Sequence, residues 1–508
     1  MSALHPSRNR PVSSRLGKGA AAALLLGASA CDHPTPQEKA CESLAGRTVE
    51  GVTLAGARLV AASGAVPEYC EVTGTLPPSL DFEVRLPSAW NDKTLFIGGG
   101  GFDGSIPSAN GYTARGYASI ASNGGHAGSA LDGSFASDPV KFDDFADLST
   151  HRVLPVAKAV IREHYGRNSA RTWFEGCSNG GREALIEAQR WPEDFDGIIA
   201  RAPAYNFVEL FLTFNRHAQQ LSQPGAALPK SKLEILGRAV LEACDAKDGL
   251  TDGIISNPAA CQFDPTVLQC PGAEGDNCLT APQVESVKTI YSPYLINGER
   301  LNEGWPPGGE ADPDAWSLWT TGNGNTAFAG GTLFAQDLIR YFITQDPAYD
   351  ALSFQATDWL SRIDEVSTRV SALDADLSRF RARGGKLILW HGGTDAAISQ
   401  KGTEAYYEKV RQTAGGQEAA DTFVEYFPAP GVNHCAGGAG PDNVDLIPAL
   451  EAWVEGGPPP SQAGLVIRKL TSTGASTLAR PLCKYPRYPK HNGAGDAALA
   501  ESFTCVEP

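Results

Sequence analysis

The sequence is short of positive charge. Its 42 Lys and Arg stand against 58 Asp and Glu, a formal net charge of −16 at pH 7. A surplus of that sign argues against nucleic acid and anionic membrane surfaces as partners. No segment is apolar for the roughly 20 residues a transmembrane helix needs. No Cys-x-x-Cys pair is present, which argues against a zinc site. The glycine run at 98–101 lacks the Lys-Ser/Thr and the spacing of a phosphate-binding P-loop. Internal repeats and low-complexity tracts are missing too. What remains is a globular composition, 508 residues with 42% apolar and 20% charged, long enough for one large domain with a substantial insertion.

The first residues have the order of an export signal. Arg8, Arg10, Arg15 and Lys18 precede an apolar run at 20–26, and small residues follow at 27–30. Residues 1–30 are therefore expected to leave the mature chain, which takes its formal charge from −16 to −20. Leu26-Gly27-Ala28-Ser29-Ala30-Cys31 resembles a bacterial lipobox with Ala28 where Leu is usual. Two readings of Cys31 stay open, attachment of a lipid anchor or an ordinary cleavage nearby. The expected location is outside the cytoplasm, as a secreted protein or a periplasmic or outer-membrane lipoprotein of a bacterium.

Of the 11 cysteines, those beyond Cys31 form an even set suited to an oxidising compartment. Sequence does not fix their connectivity, but proximity suggests Cys41 with Cys70, Cys244 with Cys261, Cys270 with Cys278, and Cys483 with Cys505. Cys177 and Cys435 are left over.

Along the chain, alternation with frequent Gly and Pro at 51–86 predicts antiparallel strands. Short buried strands are expected at 94–97, 117–121, 171–175, 195–200, 386–390 and 422–427, with a helix at 150–165 and an amphipathic run at 182–190. Strands alternating with helices predict a mainly parallel sheet covered on both faces. From 205 to 378 the alternation fails, and Asp/Gly-rich loops, four cysteines and Trp305, Trp316, Trp319 and Trp359 read as an inserted lid domain. The expected division is core 31–204, lid 205–378, and core again 379–508. Pro458-Pro459-Pro460 marks a break before the C-terminal segment.

Chemistry centres on Gly176-Cys177-Ser178-Asn179-Gly180, a Gly-x-Ser-x-Gly between a strand and a helix. That context predicts a nucleophile elbow, in which a strained turn presents the Ser178 hydroxyl. The N–H of Asn179 at the helix start, and one from the glycine loop near Gly101, would hold a developing oxyanion. A triad also needs a base and an acid to orient it. Asp395 follows the strand at 386–390 and His434 follows the next one. The order Ser178, Asp395, His434 is that of an α/β-hydrolase. His391 competes nearby but would place the base before the acid, and His126 reads as structural.

With Cys177 beside the serine and Cys435 beside the histidine, the chain resembles the tannase and feruloyl esterase family from about Cys41 to Cys505. Its sharpest motif is Cys177-Ser178-Asn179-Gly180-Gly181-Arg182-Glu183. The resemblance implies an α/β-hydrolase fold with a large inserted lid, and a disulfide between Cys177 and Cys435 that ties nucleophile to base. It implies hydrolysis of small aromatic esters: galloyl, feruloyl and other hydroxycinnamoyl, or terephthaloyl, since the PET-monoester hydrolases are members. In the lid, Asp245, Asp248 and Asp252 offer hard oxygens in a glycine-containing loop that is not an EF-hand. On the residues alone the plainer reading is an Asx-turn loop. The resemblance implies structural calcium there, with the carbonyls of Leu250 and Ile254 completing the ligand set. The expectation is thus an exported serine esterase. Its rivals are a catalytically silent calcium-dependent binding protein on the same scaffold, and a peptidase.

Overall fold

A computed structural model describes residues 35–508; the export signal and Cys31 lie outside the described residues. Ten strands form one sheet: β1 Thr48–Val49, β2 Val52–Val60, β3 Tyr69–Leu76, β4 Leu80–Pro87, β5 Lys93–Ile97, β6 Ala118–Ser122, β7 Arg171–Cys177, β8 Gly197–Arg201, β9 Lys386–Gly392 and β10 Val424–Ala429. Their spatial order is β1-β2-β3-β4-β6-β5-β7-β8-β9-β10. β1 to β4 are antiparallel, and β4 pairs antiparallel with β6. From β6 to β10 every pairing is parallel. This is the α/β-hydrolase fold.

Strand periodicity explains why both faces of the parallel block are covered, because successive side chains point to opposite sides. Phe96, Phe174, Ile198 and Leu389 enter one core, which α1 (Ser149–Tyr165) and α2 (Asn179–Arg190) complete. Their neighbours Leu95, Trp173, Ile199, Ile388 and Trp390 enter the opposite core.

Residues 202–385 add no strand to the sheet and gather a separate core around Phe207, Phe211, Phe334 and Phe342. Phe102, from the loop after β5, inserts into that core and joins the insertion to the sheet. The stretch expected as an inserted domain with Asp/Gly-rich loops also contains α3 (Phe207–Leu221), α4 (Lys230–Cys244) and α5 (Gly330–Asp337). The first half of α3 meets the core on one side and a cavity on another. The strand expected at 195–200 is displaced to 197–201, and that at 422–427 to 424–429. The helix expected from 182 begins at Asn179, directly at the elbow. α6 (Gln400–Thr413) packs Tyr406 and Tyr407 under the first core, and α7 (Ile447–Val454) packs Leu450 on the opposite one.

Candidate active site

The ends of the parallel strands deliver the site. β7 stops at Cys177, α2 starts at Asn179, and Ser178 between them has φ 65° and ψ −120°. A side chain in that conformation is strained, by roughly 1–3 kcal/mol, and needs its surroundings to hold it. The Ser178 N–H donates to the Arg201 carbonyl at 3.1 Å, and its own carbonyl accepts from Arg182 and Ala204, each at 3.1 Å. The flanking glycines are required by contact. A Cβ on Gly176 would lie 2.4 Å from the Gly180 oxygen, and one on Gly180 would lie 2.7 Å from the Gly99 oxygen. Ser178 does not cap its helix, which leaves the hydroxyl to the cavity it lines.

Asp395 follows β9 and His434 follows β10. His434 Nδ1 and Asp395 Oδ2 are 2.8 Å apart, so the carboxylate fixes the proton on Nδ1 and leaves Nε2 unprotonated in the neutral ring. The other oxygen, Oδ1, accepts the N–H groups of Ala397 and Ile398, both at 2.8 Å. Burial alone would push the Asp395 carboxyl up. The His434 charge and hydrogen bonds from His391 and His434 outweigh it and hold the group well below the ordinary carboxylate range. His391 is fully buried, with Nε2 2.9 Å from the Ile398 carbonyl and 3.2 Å from Asp395 Oδ2. Because that carbonyl can only accept, His391 carries its proton on Nε2, while Nδ1 takes the Thr403 hydroxyl at 2.8 Å. His391 therefore braces the acid. Trp305 of the insertion adds a bond from Nε1 to the Asp395 carbonyl at 3.0 Å. His126 is buried against Phe135, and burial lowers its pKa to about 4.

The two residues expected to supply the oxyanion donors both line the cavity. Neither the Gly101 nor the Asn179 N–H has a backbone partner among the described residues. Behind them sits a buried network that the sequence did not reveal as one. The Asn179 amide donates to Asp103 at 2.7 Å and accepts from Arg182 Nε at 2.6 Å. Glu183 accepts the Gly99 N–H at 3.0 Å. Arg182 also donates to the Phe145, Ala146 and Val370 carbonyls. Burial brings the Arg182 pKa to about 10, which leaves it charged at neutral pH. Burial, then the Glu183 charge, pushes the Asp103 carboxyl well up. The network couples the glycine loop to the start of α2. The residues were legible singly, since Arg182 and Glu183 stand in the elbow motif and Asp103 follows the glycine run.

Ser178, His434, Gly101 and Asn179 line one cavity of about 490 Å3. A larger one, about 760 Å3, opens beside Glu209 and Asp364 and contains none of them, so size alone does not mark the site. The Trp319 ring meets His434 edge-on, 5.2 Å between centroids.

All five expected cysteine pairs are bonded. Cys177–Cys435 spans 258 residues with Cα atoms 6.1 Å apart, and both cysteines line the cavity alongside Ser178 and His434. A loop of that length corresponds to about 5 kcal/mol in the chain-entropy account. The disulfide joins residues adjacent in sequence to Ser178 and His434, so it also constrains how far those two can move apart.

The loop at 245–254 is built from Asx turns. Asp245 accepts the Asp252 and Gly253 N–H groups, Asp248 those of Leu250 and Ser256, and Asp252 that of Ile254. Asp252 also pairs with Arg480 at 2.6 Å. Among the described residues no three acidic, His or Cys side chains gather closely enough to hold a metal by themselves. The donor chemistry nevertheless suits a hard cation. Asp245 and Asp248 are buried; burial, helped by the Asp252 charge, raises both carboxyls against the lowering effect of the backbone N–H groups they accept.

Comparison with known proteins bears on the family and the fold. The family model described as "Tannase and feruloyl esterase" matches residues 63–506. An uncharacterized esterase of Xanthomonas campestris pv. campestris is 34% identical over 87% of this chain and 85% of its own. The mono(2-hydroxyethyl) terephthalate hydrolase of Piscinibacter sakaiensis is 31% identical, covering 88% and 86%. The crystal structure of feruloyl esterase B from Aspergillus oryzae superposes with a TM-score of 0.84 at 27% identity, over 92% of this chain and 100% of that one.

Proposed function

Since this chain belongs to the tannase and feruloyl esterase family and is a carboxylic ester hydrolase, we propose that it cleaves esters of aromatic acids through an acyl-enzyme on Ser178. The acids implied by the family are of galloyl, feruloyl or hydroxycinnamoyl, and terephthaloyl type. The observation that carries the reading is the His434–Asp395 bond of 2.8 Å on the cavity that Ser178 lines. With its Nδ1 proton held by Asp395, His434 has Nε2 free to take the Ser178 proton as Oγ attacks the ester carbonyl. The Gly101 and Asn179 N–H groups hold the oxyanion. His434 then returns the proton to the leaving alcohol, and water repeats the sequence to free the acid. A nitrophenyl ester of an aromatic acid should release nitrophenol in a burst equal to the enzyme, with the matching anilide untouched. No release at all would favour a catalytically silent binding protein, and turnover of the anilide would point to a peptidase instead.

Calcium in the insertion is part of the proposal. The carboxylates of Asp245, Asp248 and Asp252 and the carbonyls of Leu250 and Ile254 would hold it, and its charge would relieve the repulsion among three carboxylates in one short loop. Residues 205–378 then act as a calcium-bearing lid over the cavity. Exhaustive chelation is expected to lower the melting temperature by several degrees through linkage, with activity lost only as the fold loosens. Unchanged melting, with no metal by elemental analysis, would remove calcium from the account.

Export is proposed on the signal-like residues 1–30 and on five disulfides, which suit an oxidising compartment. Cys31 is either the lipid attachment point of an anchored form or a residue near an ordinary cleavage. No described helix is long and apolar enough to cross a membrane.

A further inference from the structure

The walls of the Ser178 cavity narrow the substrate class. Apart from Ser178, Asn179 and His434, the cavity is lined by aliphatic and aromatic residues, glycines, Trp319 and the disulfide-bonded Cys177 and Cys435. No Lys, Arg, Asp or Glu side chain is among the lining residues. The Asn179 amide is consumed by Asp103 and Arg182, so it turns no hydrogen-bonding edge to a ligand. The mouth is apolar as well: Phe328 is 73% exposed, Leu318 45% and Leu131 41%, and all three line the cavity. Exposed apolar groups gathered at one opening mark a place where an apolar partner enters.

We propose that the acyl group accepted here is apolar and uncharged, and that the cavity rejects an acyl group carrying a carboxylate. The inference rests on the reading that Ser178 is acylated in this cavity. A carboxylate drawn into such walls loses its water and finds no cation or donor in return, the condition under which buried charge is most unfavourable. The formal net charge of −16 adds long-range repulsion of the same sign. A trihydroxyphenyl ring meets a milder form of the same deficit, since its hydroxyls also lack partners on the walls. A plain or alkylated benzoyl or cinnamoyl group meets no such deficit.

The test uses methyl esters, whose small alcohol leaves the cavity to the acyl part. Methyl 4-isopropylbenzoate and monomethyl terephthalate differ at one position, where a neutral isopropyl group replaces a carboxylate of similar shape. Wild-type kcat/KM for the isopropyl ester is expected to exceed that for monomethyl terephthalate at least ~100-fold. A smaller ratio, or a preference for the carboxylate, would overturn the inference. Ser178→Ala separates the two levels of the argument. If both esters are hydrolysed and neither rate depends on Ser178, the reading of the site fails and the inference with it. If turnover depends on Ser178 but the ratio is small, the site stands and only the inference about its walls is lost.

Discussion

Ser178→Ala is expected to reduce ester turnover by a factor on the order of 10⁵ to 10⁶, the scale seen when a triad nucleophile is deleted. The substitution removes one oxygen. It keeps the backbone bonds that seat the elbow, from Ser178 N–H to Arg201 and from Arg182 and Ala204 to its carbonyl. Alanine meets the positive φ with a side chain no larger than that of serine, so strain at the turn changes little. The variant should melt within a degree or two of wild type and keep its five disulfides. Turnover within tenfold of wild type would mean that another group attacks the ester.

Asp395→Asn should cost about 10⁴-fold in kcat, and the geometry says why. Asp395 Oδ1 already accepts two N–H groups, from Ala397 and Ile398. An asparagine would place its carbonyl oxygen there and turn its NH2 toward His434 Nδ1. Two donors cannot share that contact, so the imidazole proton would move to Nε2, the nitrogen that must take the Ser178 proton. A loss below about tenfold would assign the orienting acid elsewhere. Stability should shift with pH in a defined direction. The Asp395 carboxyl lies below its unfolded value, so its contribution is complete above about pH 4 and is lost as pH falls toward the folded value. The asparagine variant should show less of that acid-side loss than wild type.

How far the sequence could be read followed from the range of each interaction. The elbow is local: a strand, a five-residue turn and a helix, with glycines whose need is met by contacts within the motif and the adjoining glycine loop. Asp395 and His434 were legible because each follows a buried strand, and strands of a parallel sheet end on one side. The four short disulfides follow from proximity along the chain. Cys177–Cys435 came only through family resemblance, since nothing local joins residues 258 apart. Substrate walls were invisible for the same reason. Leu131, Phe211, Trp319 and Ile398 come from four separate segments and meet only in the folded chain. α3 was not singled out although Phe207, Leu210, Phe211 and Phe214 recur at helical spacing, because the strand–helix alternation that marks the other elements stops at residue 205. The Asp103–Asn179–Arg182 network was likewise hidden, its members lying 76 and 3 residues apart.

The most direct measurement is to catch the acyl group on the protein. Wild-type enzyme turning over 4-nitrophenyl cinnamate is quenched in acid within the burst, digested and mapped by mass. The account predicts one cinnamoyl group per chain, on the peptide containing Ser178, and none in Ser178→Ala. A cinnamoyl group on any other residue, or burst-phase nitrophenol with no acylated peptide, would contradict it.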